Sequence, residues 1–203
     1  KIEYLVGHLS SYSTSPSLYL FLANSSGSYN VGTGAVCTGF KTNDYTSMEF
    51  GIAYEQVSGD ALIVYGNTTD GYIRYRTYND TDGLSDETAL YYNDSRVPSY
   101  SSTEEIEWVN ISSKPGSDEI AVGFTTDADD LYVMLWNGSD FETAGASSSK
   151  QISSSCYGSG PYFDLCYEEG GDNDLVVVYY VASNYRFYYT YYDGSWSSAS
   201  QAS

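Results

Sequence analysis

The side chains best spaced for chemistry in this 203-residue chain are three aspartates in the stretch NDTDGLSD. Asp80, Asp82 and Asp86 stand around Gly83 with the D-x-D-G-x-x-D spacing of a calcium loop. Calcium takes roughly six to eight hard oxygens, which closely spaced carboxylates and backbone carbonyls supply together. Ca²⁺ is therefore the one cofactor the spacing suggests, with simple acidic turns as the alternative, since Tyr78 stands where a first ligand would sit. A second acidic turn, with Asp127, Asp129 and Asp130, is less patterned.

Other chemistries find weaker support. His8 is the chain's single histidine, with no Ser or Cys partner marked out for nucleophilic catalysis, so it reads as structural. A sialidase-type site gathers three arginines on one carboxylate. Arg74 and Arg76 share a strand face, but their counterparts are Tyr132/Met134 and Tyr188/Thr190, so both read as solvated strand residues. Glu55 and Glu168 fall at equivalent places with Ser113 between them, where solvation at a turn edge explains them. No catalytic set emerges, and the chain is expected to be non-enzymatic.

Cys37, Cys156 and Cys166 allow one bridge. Cys156 and Cys166 flank YGSGPYFDL, whose centre reads as a hairpin turn, so they are the expected pair; the alternative is three buried thiols acting as small hydrophobes. Six of ten asparagines lie in N-x-S/T: Asn24, Asn67, Asn79, Asn93, Asn110 and Asn137. Ser and Thr fill about a quarter of the chain, so chance would supply about two or three such acceptors. Asn110 falls inside a strand, the least accessible setting of the six.

Composition narrows the partners. With 8 basic residues against 27 acidic and a formal charge of −19, phosphate binding and nucleic acid are excluded. The same sign opposes an anionic membrane surface, and no apolar run reaches the roughly 18 to 20 residues that span a bilayer. Opening on Lys1 with no apolar leader, the sequence reads as mature or excised material. Together with the sequons this points to an extracellular or cell-surface glycoprotein.

These side chains must be carried by strands, because alternation with period two runs throughout and no helical stripe appears. FGIAYE, ALIVYG and YIRYRTY are separated by turn signals, with a weaker fourth strand near Thr88–Tyr92. IEWVNIS, EIAVGFT and LYVMLWNGS repeat the pattern, as do YFDLCYE, DLVVVYYVA and YRFYYTYYDGS. Phe50, Trp108 and Phe163 each stand ten residues before Asp60, Asp118 and Asn173, followed at fixed offsets by Leu62, Ile120 and Leu175 and later by Tyr78, Trp136 and Tyr192. The first 45 residues look like a degenerate copy. The units are expected at 1–45, 46–103, 104–158 and 159–203 of a single domain, 1–203.

Four-stranded antiparallel units at this period predict an all-β chain, a β-propeller of about four blades, with a β-sandwich as the alternative. YVMLWNGSDF, FYYTYYDGSW and FGIAYEQVSGDALIVYG resemble the blades of secreted bacterial and archaeal β-propeller repeat proteins, distantly similar to sialidase-like Asp-box propellers. An Asp-box runs Ser/Thr-x-Asp-x-Gly-x-x-Trp; Asp193-Gly194-Ser195-Trp196 is shorter, and Asn137 to Phe141 departs further. The resemblance covers about 150 residues and implies the fold without carrying over an activity. The expected function is a structural or adhesive role at the cell surface, as a subunit of a filament or layer, with self-association or other surface proteins as partners. The alternative is a carbohydrate-binding, lectin-like module with glycan partners, its tyrosines stacking on sugars. A glycoside hydrolase stands third.

Overall fold

A chain rich in Tyr, Val and Ile, cut by Gly and Asp turns, forms extended strands, because such side chains pack well on a pleated surface. The computed structural model describes residues 3–9, 16–24, 27–31, 34–38, 48–66, 70–145, 148–158 and 160–202. Among these there are no helices, and none long and apolar enough to cross a membrane. The strands form four antiparallel sheets. Sheet 1 holds β1 (Glu3–Leu9), β2 (Ser17–Asn24), β3 (Gly27–Asn30) and β4 (Cys37–Thr38), with β3 and β4 both pairing with β2. Sheet 2 holds β5 (Phe50–Tyr54), β6 (Ala61–Tyr65), β7 (Ile73–Asn79), β8 (Gly83–Leu84) and β9 (Thr88–Leu90). Sheet 3 runs β10 (Ile106–Ser113), β11 (Ile120–Thr126), β12 (Leu131–Trp136), β13 (Lys150–Ser153). Sheet 4 runs β14 (Phe163–Tyr167), β15 (Leu175–Val181), β16 (Arg186–Tyr192), β17 (Ser200–Gln201).

The first strand of each sheet lies beside that of the next: β1 against β5, β5 against β10, and β10 against β14. The hydrophobic core is correspondingly divided into three seams. Leu18, Leu20 and Leu22 meet Ala61, Ile63 and Tyr65 between sheets 1 and 2. Leu62 and Val64 meet Ile120, Val122 and Phe124 between sheets 2 and 3. Leu131, Val133 and Leu135 meet Phe163, Leu165 and Leu175 between sheets 3 and 4. Sheets 2 and 3 are thus covered on both faces, which is why β6, β11 and β12 are buried along their whole length. Each Val, Leu, Ile or Phe buried this way contributes roughly 1.5–3 kcal/mol.

Glycines tighten the seams. A Cβ on Gly7 would lie 2.5 Å from the Phe50 ring, and one on Gly123 would lie 2.5 Å from Leu165 and 2.6 Å from Phe163. The following sheet presses side chains into spaces that a side chain on the preceding sheet would fill.

The ladders fix the equivalences between sheets. Tyr54, Ala61 and Tyr78 are mutually paired across sheet 2, as are Ser113, Ile120 and Trp136 in sheet 3 and Tyr167, Leu175 and Tyr192 in sheet 4. The partner of Phe50 and Phe163 in this register is therefore Val109, and the counterpart of Ile120 is Ala61 rather than Leu62. Trp108 points the other way, toward sheet 4. Ile120 pairs with Trp136 sixteen residues on, whereas Ala61 pairs with Tyr78 and Leu175 with Tyr192 seventeen residues on, so matching Tyr78 with Trp136 slips Phe50 onto Trp108.

Cys156 and Cys166 do not form the expected bridge. All three cysteines are free: Cys156 is buried in the seam between sheets 3 and 4, and Cys166 is exposed on the far face of β14. The segment between them is a crossing from one sheet to the next rather than a hairpin, because Cys156 bridges to Val181 and Phe163 opens β14.

Candidate functional site

At one end of the sheets, the turn after the first strand of sheets 2 and 3 meets the end of the third strand of the following sheet. Between sheets 2 and 3 this junction is closed. The Trp136 indole N–H donates to Glu55 Oε1 at 2.7 Å, and the Ser58 hydroxyl donates to Glu55 Oε2. The N–H groups of Val57 and Ser58 both donate to Asp118 Oδ1 at 2.9 Å, and Gln56 N–H donates to the Ser117 carbonyl at 3.0 Å. Glu55 is buried here, fixed by a partner from the next sheet, and is not the solvated turn residue its position suggests.

The same junction between sheets 3 and 4 is open. Lys114 replaces Glu55 by position, and Tyr192 replaces Trp136. The turn of sheet 4, 168–174, is one residue longer than 55–60 or 114–119, and takes left-handed backbone at Gly170, Gly171 and Asn173. The result is a cavity of about 430 Å³ lined by Lys114, Glu119, Asn173, Asp174, Tyr192 and Asp193, among others.

Its floor is organised by one carboxylate. Glu119 Oε1 accepts from Lys114 Nζ at 3.1 Å and from the Tyr167 hydroxyl at 2.8 Å, while Lys114 Nζ sits 5.7 Å from the Tyr167 ring centroid. Tyr192 packs on Trp196 with ring centroids 5.1 Å apart, and the Trp196 N–H anchors to the Ser148 carbonyl at 2.6 Å. Burial, then Glu119, holds the Glu142 carboxyl above the usual carboxylate range. Burial, then Glu168, Asp193 and Asp172, raises Asp174. Burial, then Glu142, Glu119 and Asp193, raises Tyr192. In all three burial leads, and the neighbouring carboxylates around Lys114 add to it. An aromatic platform ringed by hydrogen-bond acceptors and one ammonium donor can hold a small hydroxyl-rich ligand.

Two other cavities are less suited to such a ligand. One of about 420 Å³ lies along the first strands of sheets 1, 2 and 3 and is mostly apolar, lined by Leu5, Phe50, Ile52, Val109 and Ile111 among others. The other, about 570 Å³, lies between Ser95–Ser99 and Thr143–Gln151 and has no aromatic ring in its wall.

The remaining expected site residues are dispersed. Asp80, Asp82 and Asp86 are not gathered as one ligand set; Asn79 Oδ1 accepts from the N–H of Thr81 at 2.9 Å and of Asp82 at 2.7 Å within this loop. Among the described residues no group of three or more His, Cys, Asp or Glu is placed to hold a metal ion. Exposed His8 lies edge-on to Phe21. Arg74 is buried rather than solvated, with Asp70 and Glu87 as ion-pair partners, and Arg76 donates to the Ser85 carbonyl at 2.6 Å.

Of the sequons, Asn67 lies outside the described residues, and of Asn24 only the backbone, at the end of β2, is described. Asn93 and Asn137 are exposed and Asn79 half-exposed. Asn110 Nδ2, the atom a glycan would occupy, donates to Asp164 Oδ1 at 2.6 Å across the seam between β10 and β14.

No protein-family model matches the chain, and no curated protein matches it. Solved structures do. The chain is similar to the fucose-specific lectin from Aleuria aurantia, with 16% identity and a TM-score of 0.50, covering 92% of this chain and 54% of the lectin. It is similar to a variant of that lectin in complex with Fucα1-6GlcNAc, with 12% identity, a TM-score of 0.50, and 99% and 62% coverage. It is also similar to the α-L-arabinofuranosidase Arb93A from Fusarium graminearum in complex with an iminosugar inhibitor, with 11% identity, a TM-score of 0.53, and 97% and 59% coverage. The fold is a β-propeller. The four sheets are its blades, each stacked face to face on the next, and the sandwich alternative is set aside. The chain spans between 54% and 62% of the length of these structures.

Sequence reasoning did not find the open junction. Lys114, Glu119 and Tyr192 belong to different strands and turns, and nothing in their spacing joins them. The extra residue in the turn EEGGDND was the available signal, since one longer turn among three equivalent turns alters the local closure.

Proposed function

We propose that this protein is a non-enzymatic carbohydrate-binding β-propeller working outside the cell, which takes a neutral sugar at the junction of blades 3 and 4. The observation that carries this reading is the contrast between two equivalent junctions. Trp136, Glu55 and Asp118 close the one between blades 2 and 3, while Lys114, Glu119 and Tyr192 frame an open cavity at the next. Sugars present C–H faces that stack on aromatic rings and hydroxyls that pair with carboxylates and amines.

Charge selects among sugars. The acidic residues around Lys114, on a chain of formal charge −19, repel sialylated, sulfated or uronic glycans and tolerate neutral or amino sugars. The lectins among the structural neighbours support a binding role over the filament or layer role suggested by the repeats. Exposed Asn93 and Asn137, both in N-x-S/T, support an extracellular setting.

Isothermal titration with L-fucose, Fucα1-6GlcNAc, other neutral oligosaccharides and their sialylated forms tests the reading. Saturable binding of a neutral sugar, weakened about tenfold in the Tyr192→Ala variant and absent for sialylated forms, is expected. Preference for anionic glycans, or silence to all, overturns it. Release of reducing sugar from arabinofuranosides or chromogenic glycosides overturns the non-enzymatic part.

A further inference from the structure

The junction of blades 3 and 4 holds two charged side chains whose hydrogen-bonding capacity the protein leaves half used. Glu119 takes both of its side-chain hydrogen bonds on one oxygen, since Lys114 Nζ at 3.1 Å and the Tyr167 hydroxyl at 2.8 Å both donate to Oε1. Among the described residues no donor is paired with Oε2. An ionised carboxylate accepts on both oxygens, so Oε2 is a spare acceptor. Lys114 is in the converse position: its ammonium has three N–H donors, and one is engaged with Glu119. The closed junction differs. There Glu55 receives the Trp136 N–H on Oε1 and the Ser58 hydroxyl on Oε2, so both its oxygens are engaged within the protein.

One buried side chain sets the pair. Tyr167, at the end of β14, lies outside the cavity wall and is buried in the seam between the blades. Its hydroxyl fixes Glu119, and its ring centroid lies 5.7 Å from Lys114 Nζ. Burial, then Glu119, pushes the Tyr167 phenol above its ordinary range, so it keeps its proton and donates. The counterpart of Tyr167 in blade 3 is Ser113, which gives its hydroxyl to the Tyr54 carbonyl at 2.6 Å and has no ring to place beside a lysine. The closed junction therefore has no equivalent of this trio.

The two oxygens of Glu119 share one carbon, so the spare acceptor stands beside the Lys114 contact, next to the ammonium's remaining donors. A hydroxyl both donates and accepts. Two hydroxyls on neighbouring ring carbons meet both needs at once, while the ring that carries them is free to lie against Tyr192. On the carbohydrate reading proposed above, we infer that this junction recognises a pair of adjacent hydroxyls on one sugar ring. One hydroxyl donates to Glu119 Oε2, its neighbour accepts from Lys114 Nζ, and Tyr167 is the positioning residue for both. Bonds with one charged partner are the stronger kind, and a sugar lacking either hydroxyl leaves that partner covered and unpaired.

The test is titration calorimetry on the intact chain with L-fucose, D-galactose, D-mannose, D-glucose and Fucα1-6GlcNAc, followed by the single-deoxy derivatives of whichever binds most tightly. Removing either of two adjacent hydroxyls is expected to weaken binding about tenfold or more, and removing any other by about twofold at most. Glu119→Gln, whose amide presents a donor where Oε2 stood, is expected to erase the discrimination at one of the two positions. Lys114→Met is expected to erase it at the other. Both side chains are partly exposed, 22% for Glu119 and 28% for Lys114, so these variants are expected to fold as wild type does. Tyr167→Phe keeps the ring beside Lys114 and removes the hydroxyl; it is expected to cut the discrimination at the Glu119 position about threefold and to spare the other. A Tyr167 that only stabilises the fold would weaken every derivative alike with the ratios unchanged, a result that overturns its positioning role. Sensitive hydroxyls that are not adjacent, or ratios indifferent to Glu119→Gln and Lys114→Met, overturn the inference and leave the carbohydrate reading standing. Silence of wild type to all of these sugars overturns both.

Discussion

The indole N–H of Trp136 donates to Glu55 Oε1 at 2.7 Å, reaching from blade 3 into blade 2 at a point closed to solvent. A buried carboxylate costs free energy unless its oxygens are satisfied. Trp136→Phe keeps much of the ring but removes this donor, and should lower stability by roughly 2–4 kcal/mol. Glu55→Gln keeps an acceptor without the charge and should cost less. In a double-mutant cycle by urea denaturation, Trp136→Phe should cost clearly less on the Glu55→Gln background; equal costs would show that the bond contributes nothing specific.

Binding at the junction of blades 3 and 4 should depend on stacking and on the ammonium separately. Tyr192→Ala removes the platform and should weaken a bound neutral sugar about tenfold, roughly 1.4 kcal/mol. Lys114→Met removes one donor and leaves Glu119 held by Tyr167 alone, and should weaken the sugar further while leaving the fold intact. Titration calorimetry of each variant, with its melting temperature as control, checks both.

Two carboxylates give opposite dependences on pH. The folded-state value of Glu142 is raised, by burial and then by Glu119, so its contribution is fully present below the ordinary carboxylate range and is lost as pH rises through the raised value. Glu142→Gln should therefore stabilise the protein at neutral pH, with the gain vanishing in acid. Asp94 is lowered by its hydrogen bond to Arg96, so its contribution is present above the ordinary range and is lost as pH falls through the lowered value. Asp94→Asn should cost up to about 1 kcal/mol at neutral pH and nothing in strong acid. Denaturation midpoints from pH 2 to 8 read both curves.

The thiols should separate by reactivity. Burial pushes the Cys37 thiol up to about 11 and Cys156 to about 12, so neither offers thiolate or access in the native state. Cys166 is exposed on blade 4. Native labelling with iodoacetamide followed by peptide mass analysis should modify Cys166 alone, and labelling in denaturant should modify all three. A native mass lower by two hydrogens, with Cys166 unreactive, would restore the bridge.

The repeat was legible in the sequence because blades impose a shared pattern of apolar side chains and turns. Tyr78, Trp136 and Tyr192 were aligned correctly, as the ladder pairs each with the start of the second strand of its blade. Trp108 was aligned with Phe50 and Phe163 although Val109 takes that place. Spacing counts residues, and the hairpin between the second and third strands of blade 3 is one residue shorter than its counterparts, which slips the count by one ladder position. Glu55 was taken for a solvated turn residue because its partner Trp136 lies 81 positions along the chain, in the next blade. The open junction escaped for the same reason: its residues meet only after two blades have stacked.

The turn after the third strand of blades 2, 3 and 4 begins with Asn79, Asn137 and Asp193. Each Oδ1 accepts the N–H two residues on: from Thr81 at 2.9 Å, from Ser139 at 3.0 Å and from Ser195 at 3.2 Å. The backbone asks only for a short side chain ending in an oxygen, and amide and carboxylate answer equally well. Exchange between Asn and Asp at these corners leaves the architecture alone and rewrites the outer coat. An amide in N-x-S/T is a place where sugar can be hung; a carboxylate is one more negative charge. Decoration of this rim can therefore drift from blade to blade without disturbing the stack beneath it.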